Sequence, residues 1–227
     1  MRLFALNKIV LRISGNAERF MNGLTSNSLD KPRNAFLNQH GRIIATFDQV
    51  QTGEDEFLIV LELFALEALM LHMKKFLMLN KTTAEPAALN VYFVFDGSFK
   101  PSAGEYVIPQ KAGQMVLTPQ KLQADVPQDE FALFRLKNNI PLHGVDYTDE
   151  MVLNIDEYEQ VSYTKGCFLG QEPVAKVHNR SKPTWKLDVR SEDEVTDEER
   201  MKMTSRAFDH ATGKTVGFVF VKNESRQ

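Results

Sequence analysis

The stretch Lys165-Gly166-Cys167-Phe168-Leu169-Gly170-Gln171-Glu172 decides how the chain reads. Cys167 is its single cysteine, flanked by two glycines, with a cation two residues before it and an amide and a carboxylate after it. The alternating run Val161-Ser162-Tyr163-Thr164 predicts a strand leading in. Pro173 predicts a helix that opens with proline at its first position. The motif then forms a strand-to-helix turn, with backbone N–H groups free at the helix start. Such a corner suits an activated thiol, because a helix start and a nearby Lys both stabilise thiolate. It also suits an anionic ligand. Equally, a lone Cys beside Phe168 and Leu169 reads as a small buried hydrophobe, and the glycines as turn formers. The residues alone leave these readings open.

The motif resembles the K-G-C-[FY]-x-G-Q-E signature of the YgfZ family, tetrahydrofolate-binding proteins related to the T-protein (aminomethyltransferase) of glycine cleavage. The resemblance implies an α+β, T-protein-like fold of split β-α-β sheets. It places a folate-binding core at 1–180 and a shortened C-terminal β-barrel-like piece at 181–227. It implies an accessory protein that supports assembly or repair of iron–sulfur clusters in client enzymes, with tRNA modification among the processes touched. Carried over by position, Cys167 and Lys165 are the functional pair, and Gly166, Gln171 and Glu172 belong to the same loop. The implied cofactor is tetrahydrofolate or a one-carbon derivative, with no built-in metal. The implied partners are iron–sulfur client enzymes or assembly factors. Cys167 stays open between nucleophile, redox thiol and transient cluster ligand, since one thiol cannot hold a cluster without outside ligands.

Working outward, the totals exclude more than they assign. A chain of 227 residues holds one large domain or two smaller ones. A net charge of −3 gives no basic surface for nucleic acid. One cysteine excludes an internal disulfide and fits a reducing compartment. The most apolar stretch, 64 to 79, contains Glu67, His72, Lys74 and Lys75, so it does not read as a membrane span. The N-terminus lacks signal-peptide or transit-peptide character, and a cytoplasmic protein is the simplest expectation. The five histidines show no metal-ligand spacing.

Upstream, residues 6 to 13 predict a strand, Asn16 a helix cap, and Ala17, Phe20, Met21 and Leu24 a helical stripe. The helix end, with Asn22, Thr25 and Asn27, reads as plain capping or as the edge of a folate channel. Residues 35–38 and 42–50 predict a hairpin, within which 38–44 resembles the family's N/P-x-G-R-[IM]-[IL] segment. Arg42 reads as a surface cation or as a contact for an anionic ligand. True aminomethyltransferases carry an Asp pair directly after this hairpin, where this chain has Ala45 and Thr46. An ordinary aminomethyl transfer therefore lacks an obvious proton carrier, and enzyme status stays open. Asp48 should keep the strand face of Thr46, one pleat repeat further on. Further strands are expected at 56–61, 89–95, 106–108 and 115–117, and a long amphipathic helix at 63–78.

Downstream of these strands, 134–146 resembles the superfamily's R-x-E-x-G-[IL]-P-x-x-G-x-D segment. Arg135, Ile140, Pro141, Gly144 and Asp146 match, Lys137 replaces the carboxylate, and Asn139 replaces a glycine. Arg135 is a candidate for an anionic ligand group or half of a structural ion pair. Together, Lys165, Cys167, Arg135, Asn22 and Thr25 are expected to line one channel. After the motif, a strand is expected from Trp185, an acidic solvated loop over 191–200, and a terminal hairpin.

Overall fold

The computed structural model describes residues 1–223, except the side chains of Glu157 and Tyr158. The elements run β1 (Leu3–Leu6), β2 (Lys8–Ser14), α1 (Ala17–Leu24), β3 (Arg33–Leu37), β4 (Ile43–Gly53), β5 (Glu56–Glu62), α2 (Leu66–Asn80), β6 (Thr83–Pro86) and β7 (Asn90–Val94). They continue with β8 (Tyr106–Pro109), β9 (Gln114–Thr118), α3 (Gln128–Lys137), α4 (Glu157–Gln160), α5 (Gln171–Lys176), β10 (Trp185–Ser191), α6 (Asp197–Lys202), β11 (Thr204–Asp209) and β12 (Lys214–Lys222). Three sheets result, ordered β3-β4-β5-β2-β6, β1-β7-β9-β8 and β10-β12-β11. Both β5 and β6 pair antiparallel with β2. They are therefore parallel to each other across it, and β5-α2-β6 is a split β-α-β unit.

Strand β2 is apolar on both faces because it is covered on both. Leu11 and Ile13 join Ala17, Phe20, Met21 and Leu24 of α1 and Leu69 and Met73 of α2 in one core. Val10 turns the other way, onto Val91, Ile108, Met115 and Leu117 of the four-stranded sheet. The layers are thus helices, five-stranded sheet, four-stranded sheet. Phe20, Phe36 and Phe57 are essentially fully buried, each contributing on the order of 1.5–3 kcal/mol of transfer free energy. A third core joins Leu37, Ile43, Leu136, Phe168 and Val174 to Leu187 and Phe218 of the C-terminal sheet.

Several local expectations change. Asn16 occupies the cap position of α1 but is left-handed, and its amide donates to the Asn80 carbonyl. The first turn is served instead by Asp55, which accepts from the Glu18 N–H. Residues 161–164 form no strand. Their neighbour is the irregular 25–27 segment, which offers a single bond, Ser162 N–H to Ser26 O, rather than a ladder. Pro173 is the third residue of α5, not the first, because Gly170 is the cap. The 191–200 loop contains the start of α6, set by a reciprocal capping box between Thr196 and Glu199. Asn139 is left-handed, as its place in the 134–146 segment requires.

Candidate functional site

The signature loop is built against the end of α1. Leu169 N–H donates to Gly23 O, and Lys165 Nζ donates to the carbonyls of Thr25 and Asn27 at 2.6 and 2.9 Å. Thr25 is the C-cap of α1 and Asn27 lies just beyond it, so the ammonium sits beside a helix end, which carries partial negative charge. Burial pushes the Lys165 ammonium down from its ordinary value to about 8. It also lies 5.4 Å over the Phe168 ring. Phe168 is buried while Cys167 is an exposed free thiol. Gly170 has φ +85°, and a Cβ there would run into the Asn38 carbonyl. Gly166 has no such neighbour. Behind the loop a hollow of about 230 Å³ is lined by Phe168, Gln171, Tyr163 and His178, whose rings stack 3.8 Å apart.

A second site lies where the two large sheets meet the 140–160 segment. A cavity of about 60 Å³ is lined by Lys8, Arg33, Thr46, Asp48, Glu62, Gln110, Arg135, His143, Tyr147 and Gln160, among others. Lys8 pairs with Glu62 at 2.8 Å. Arg33 reaches Glu159 at 2.5 Å and Asp48 at 3.5 Å, and Gln110 bonds both Arg33 and Asp48. Burial, with the Lys8 charge, holds His143 down at about 4, so its ring is neutral. The Tyr147 hydroxyl bonds Thr46 at 2.8 Å, and burial raises its pKa. Three buried polar atoms on this wall have no partner among the described residues: His143 Nδ1, Gln160 Oε1 and Arg135 Nε. Buried polar atoms are ordinarily satisfied, so such a group calls for an explanation.

The expected single channel is therefore two places. Of the residues carried over, only Arg135 lines the cavity. Its Nη1 pairs with Asp146 at 2.9 Å and bonds Ile140 O, which makes its guanidinium chiefly structural. Thr25 meets Lys165, but through its backbone carbonyl; its hydroxyl donates to Met21 O. Asn22 is half-buried on α1 and lines neither place. Arg42 pairs with Asp149 at the surface, 3.0 Å away. Glu172 is exposed, and Gln171 lines the outer hollow. Ala45 is buried in the core, where a carboxylate would be unsolvated. Asp48 does share the Thr46 face and lines the cavity.

The two places are linked by 25–27. Asn27 Nδ2 donates to Glu159 O and Ser26 Oγ to Gln160 O. Sequence reading passed over Lys8, Arg33, Glu62, His143 and Gln160. The one signal available was a charge at the end of a largely apolar strand, as at Lys8, the first residue of β2, and Glu62, the last of β5. No group of three or more His, Cys, Asp or Glu among the described residues is placed to hold a metal. No helix among them is long and apolar enough to cross a membrane.

No family model matches the sequence. An iron–sulfur cluster assembly factor, the mitochondrial IBA57 homolog of Dictyostelium discoideum, is 23% identical over 76% of this chain and 58% of that protein. This chain thus spans 58% of the length of that curated relative. The glycine cleavage system aminomethyltransferase T of Bartonella henselae matches in structure with a TM-score of 0.70 and 13% identity, across 97% of this chain and 78% of that one. The fold is α+β and T-protein-like, and the two likenesses together support a YgfZ-like chain.

Proposed function

We propose that this protein is a tetrahydrofolate-binding accessory factor that supports assembly or repair of iron–sulfur clusters in client enzymes. The Lys165–Glu172 loop is its working surface and the polar cavity its folate site. The observation that carries the reading is the exposed Cys167 thiol on a loop anchored, through 25–27, to the wall of that cavity. The assembly role follows the name of the Dictyostelium relative; the folate follows the fold.

The cavity's chemistry fits a pterin. That ring presents alternating donors and acceptors along one edge, and the wall offers unpartnered His143, Gln160 and Arg135 atoms beside the Asp48 carboxylate. Its volume, about 60 Å³, is well below the ~300 Å³ or more of pockets that enclose ligands of this size, so binding widens it. Gln160 Oε1 and Arg135 Nε, the unpartnered atoms, would orient the ring; Cys167, outside, acts on the client or its cluster. One-carbon transfer by an Asp pair is disfavoured, because Ala45 is core and Asp48 is tied to Gln110 and Arg33. A free thiol fits action in the reducing cytoplasm.

The test has two arms. Titration of the pure protein with reduced folates should saturate, and Gln160→Leu should weaken binding about tenfold, the cost of losing one good buried hydrogen bond. In cells lacking the native protein, Cys167→Ala should bind folate normally yet fail to restore iron–sulfur enzyme activity. No saturable folate binding would remove the cofactor; full restoration by Cys167→Ala would remove the thiol.

A further inference from the structure

Helix α2 faces the core with Leu69 and Met73 and leaves its opposite side bare. Leu63, Phe64, Leu71, Met78 and Leu79 are 52–78% exposed. Leu71 and Met78, seven residues apart on α2, form a stripe on its outer face, and Phe64 is exposed in the short 3-10 turn Leu63–Ala65 that leads into the helix. Val145, also exposed, adjoins it through Gly144, which packs on the Phe64 ring. Glu67 and Lys74 flank the stripe, both exposed, and neither forms an ion pair among the described residues. Leu71, Met78 and Leu79 share this open face with Lys74 and Lys75.

This stripe is its own complement when reversed. Counted from Leu71, apolar residues stand at −7 and +7, an acid at −4 and a base at +3. An antiparallel copy turned about Leu71 sets Leu71 on Leu71 and Phe64 against Met78. It also places Glu67 of each helix beside Lys74 of the other, on the same side of the seam. An interface in which one patch meets itself in this way has two-fold symmetry. We propose that α2 is the contact of a two-fold dimer of this protein, with a second copy as the occupant of the bare face. The self-matching charges choose that occupant. An unrelated acidic helix would leave Glu67 facing like charge, and an anionic lipid surface would do the same. At ~1.5 Å per residue the 15 residues of α2 span about 22 Å. A seam that short covers less than the ~800 Å² per partner of a stable complex, so the dimer is weak and concentration-dependent.

Sedimentation equilibrium from roughly 5 to 500 µM spans the range in which so weak an association is read. The weight-average mass should climb from monomer towards dimer. Leu71→Glu, at an exposed position and checked for folding by circular dichroism, should lower the association constant at least ~100-fold, as for a central anchor. Glu67→Lys should weaken it about fivefold, and Glu67→Lys with Lys74→Glu should recover it, as for a rim ion pair. A chain that stays monomeric throughout overturns the proposal, whatever else the face binds. So does a dimer indifferent to Leu71→Glu. A double exchange that fails to recover association overturns the antiparallel register.

Discussion

The signature loop and the polar cavity handle charge in opposite ways. The loop has one cation, Lys165, held not by a carboxylate but by two backbone carbonyls, at the cap of α1 and just beyond it. Its reactive atom, the Cys167 sulfur, faces water. The cavity has matched cations and anions, Lys8 with Glu62 and Arg33 with Asp48 and Glu159, and its reactive surface is a few unpartnered buried atoms. The difference teaches where each region is vulnerable. Removing a buried charge partner strands an ion in low dielectric, whereas changing an exposed loop atom costs only what the backbone geometry demands.

The largest effect that would sharpen this contrast is at Asp146. It accepts from Arg135, Leu142 N–H, Thr204 and Ser205. Asp146→Ala should lower unfolding free energy by about 3–5 kcal/mol, because Arg135 is left buried and unpaired; urea denaturation reads it. A loss below about 1 kcal/mol would erase the claimed difference between cavity and loop.

Next comes His143, whose folded pKa is near 4 against an ordinary 6.5. Between those values the unfolded chain binds the proton and the folded chain does not, so stability falls as pH drops from 6.5 to 4. His143→Phe keeps the stack on Tyr147 and should flatten that part of the curve by up to about 3 kcal/mol relative to wild type. Parallel curves would mean the ring is protonated in the fold.

In the loop the expected costs are smaller and confined to geometry. Gly170→Ala meets both a positive φ and the Asn38 carbonyl, and should cost about 1–3 kcal/mol. Gly166→Ala, with open space around it, should stay within about 0.5 kcal/mol. Equal losses from the two would mean that the loop is held tightly throughout.

The pH dependence of the loop belongs to Lys165. Its folded pKa is about 8 against 10.5, so stability should rise as pH climbs through that window, where only the unfolded chain keeps the proton. Lys165→Met should lose the rise. A wild-type curve that falls there would show that the two carbonyls outweigh burial.

By itself the sequence determined the local pieces and the likeness. The stripe of Ala17, Phe20, Met21 and Leu24 gave α1, the two runs at 35–38 and 42–50 gave the β3–β4 hairpin, and the loop at 165–172 carried the resemblance that the fold supports. Such signals survive because periodicity and turn chemistry act within a few residues. Tertiary structure decided the rest. It exposed Cys167 while burying Phe168, and it denied 161–164 a strand because no edge lies alongside them. It also gathered Lys8, Arg33, Asp48, His143 and Gln160 onto one wall. Those residues meet only through the register of two sheets and the packing of the chain that follows them, and no short window of sequence encodes a contact between positions so far apart.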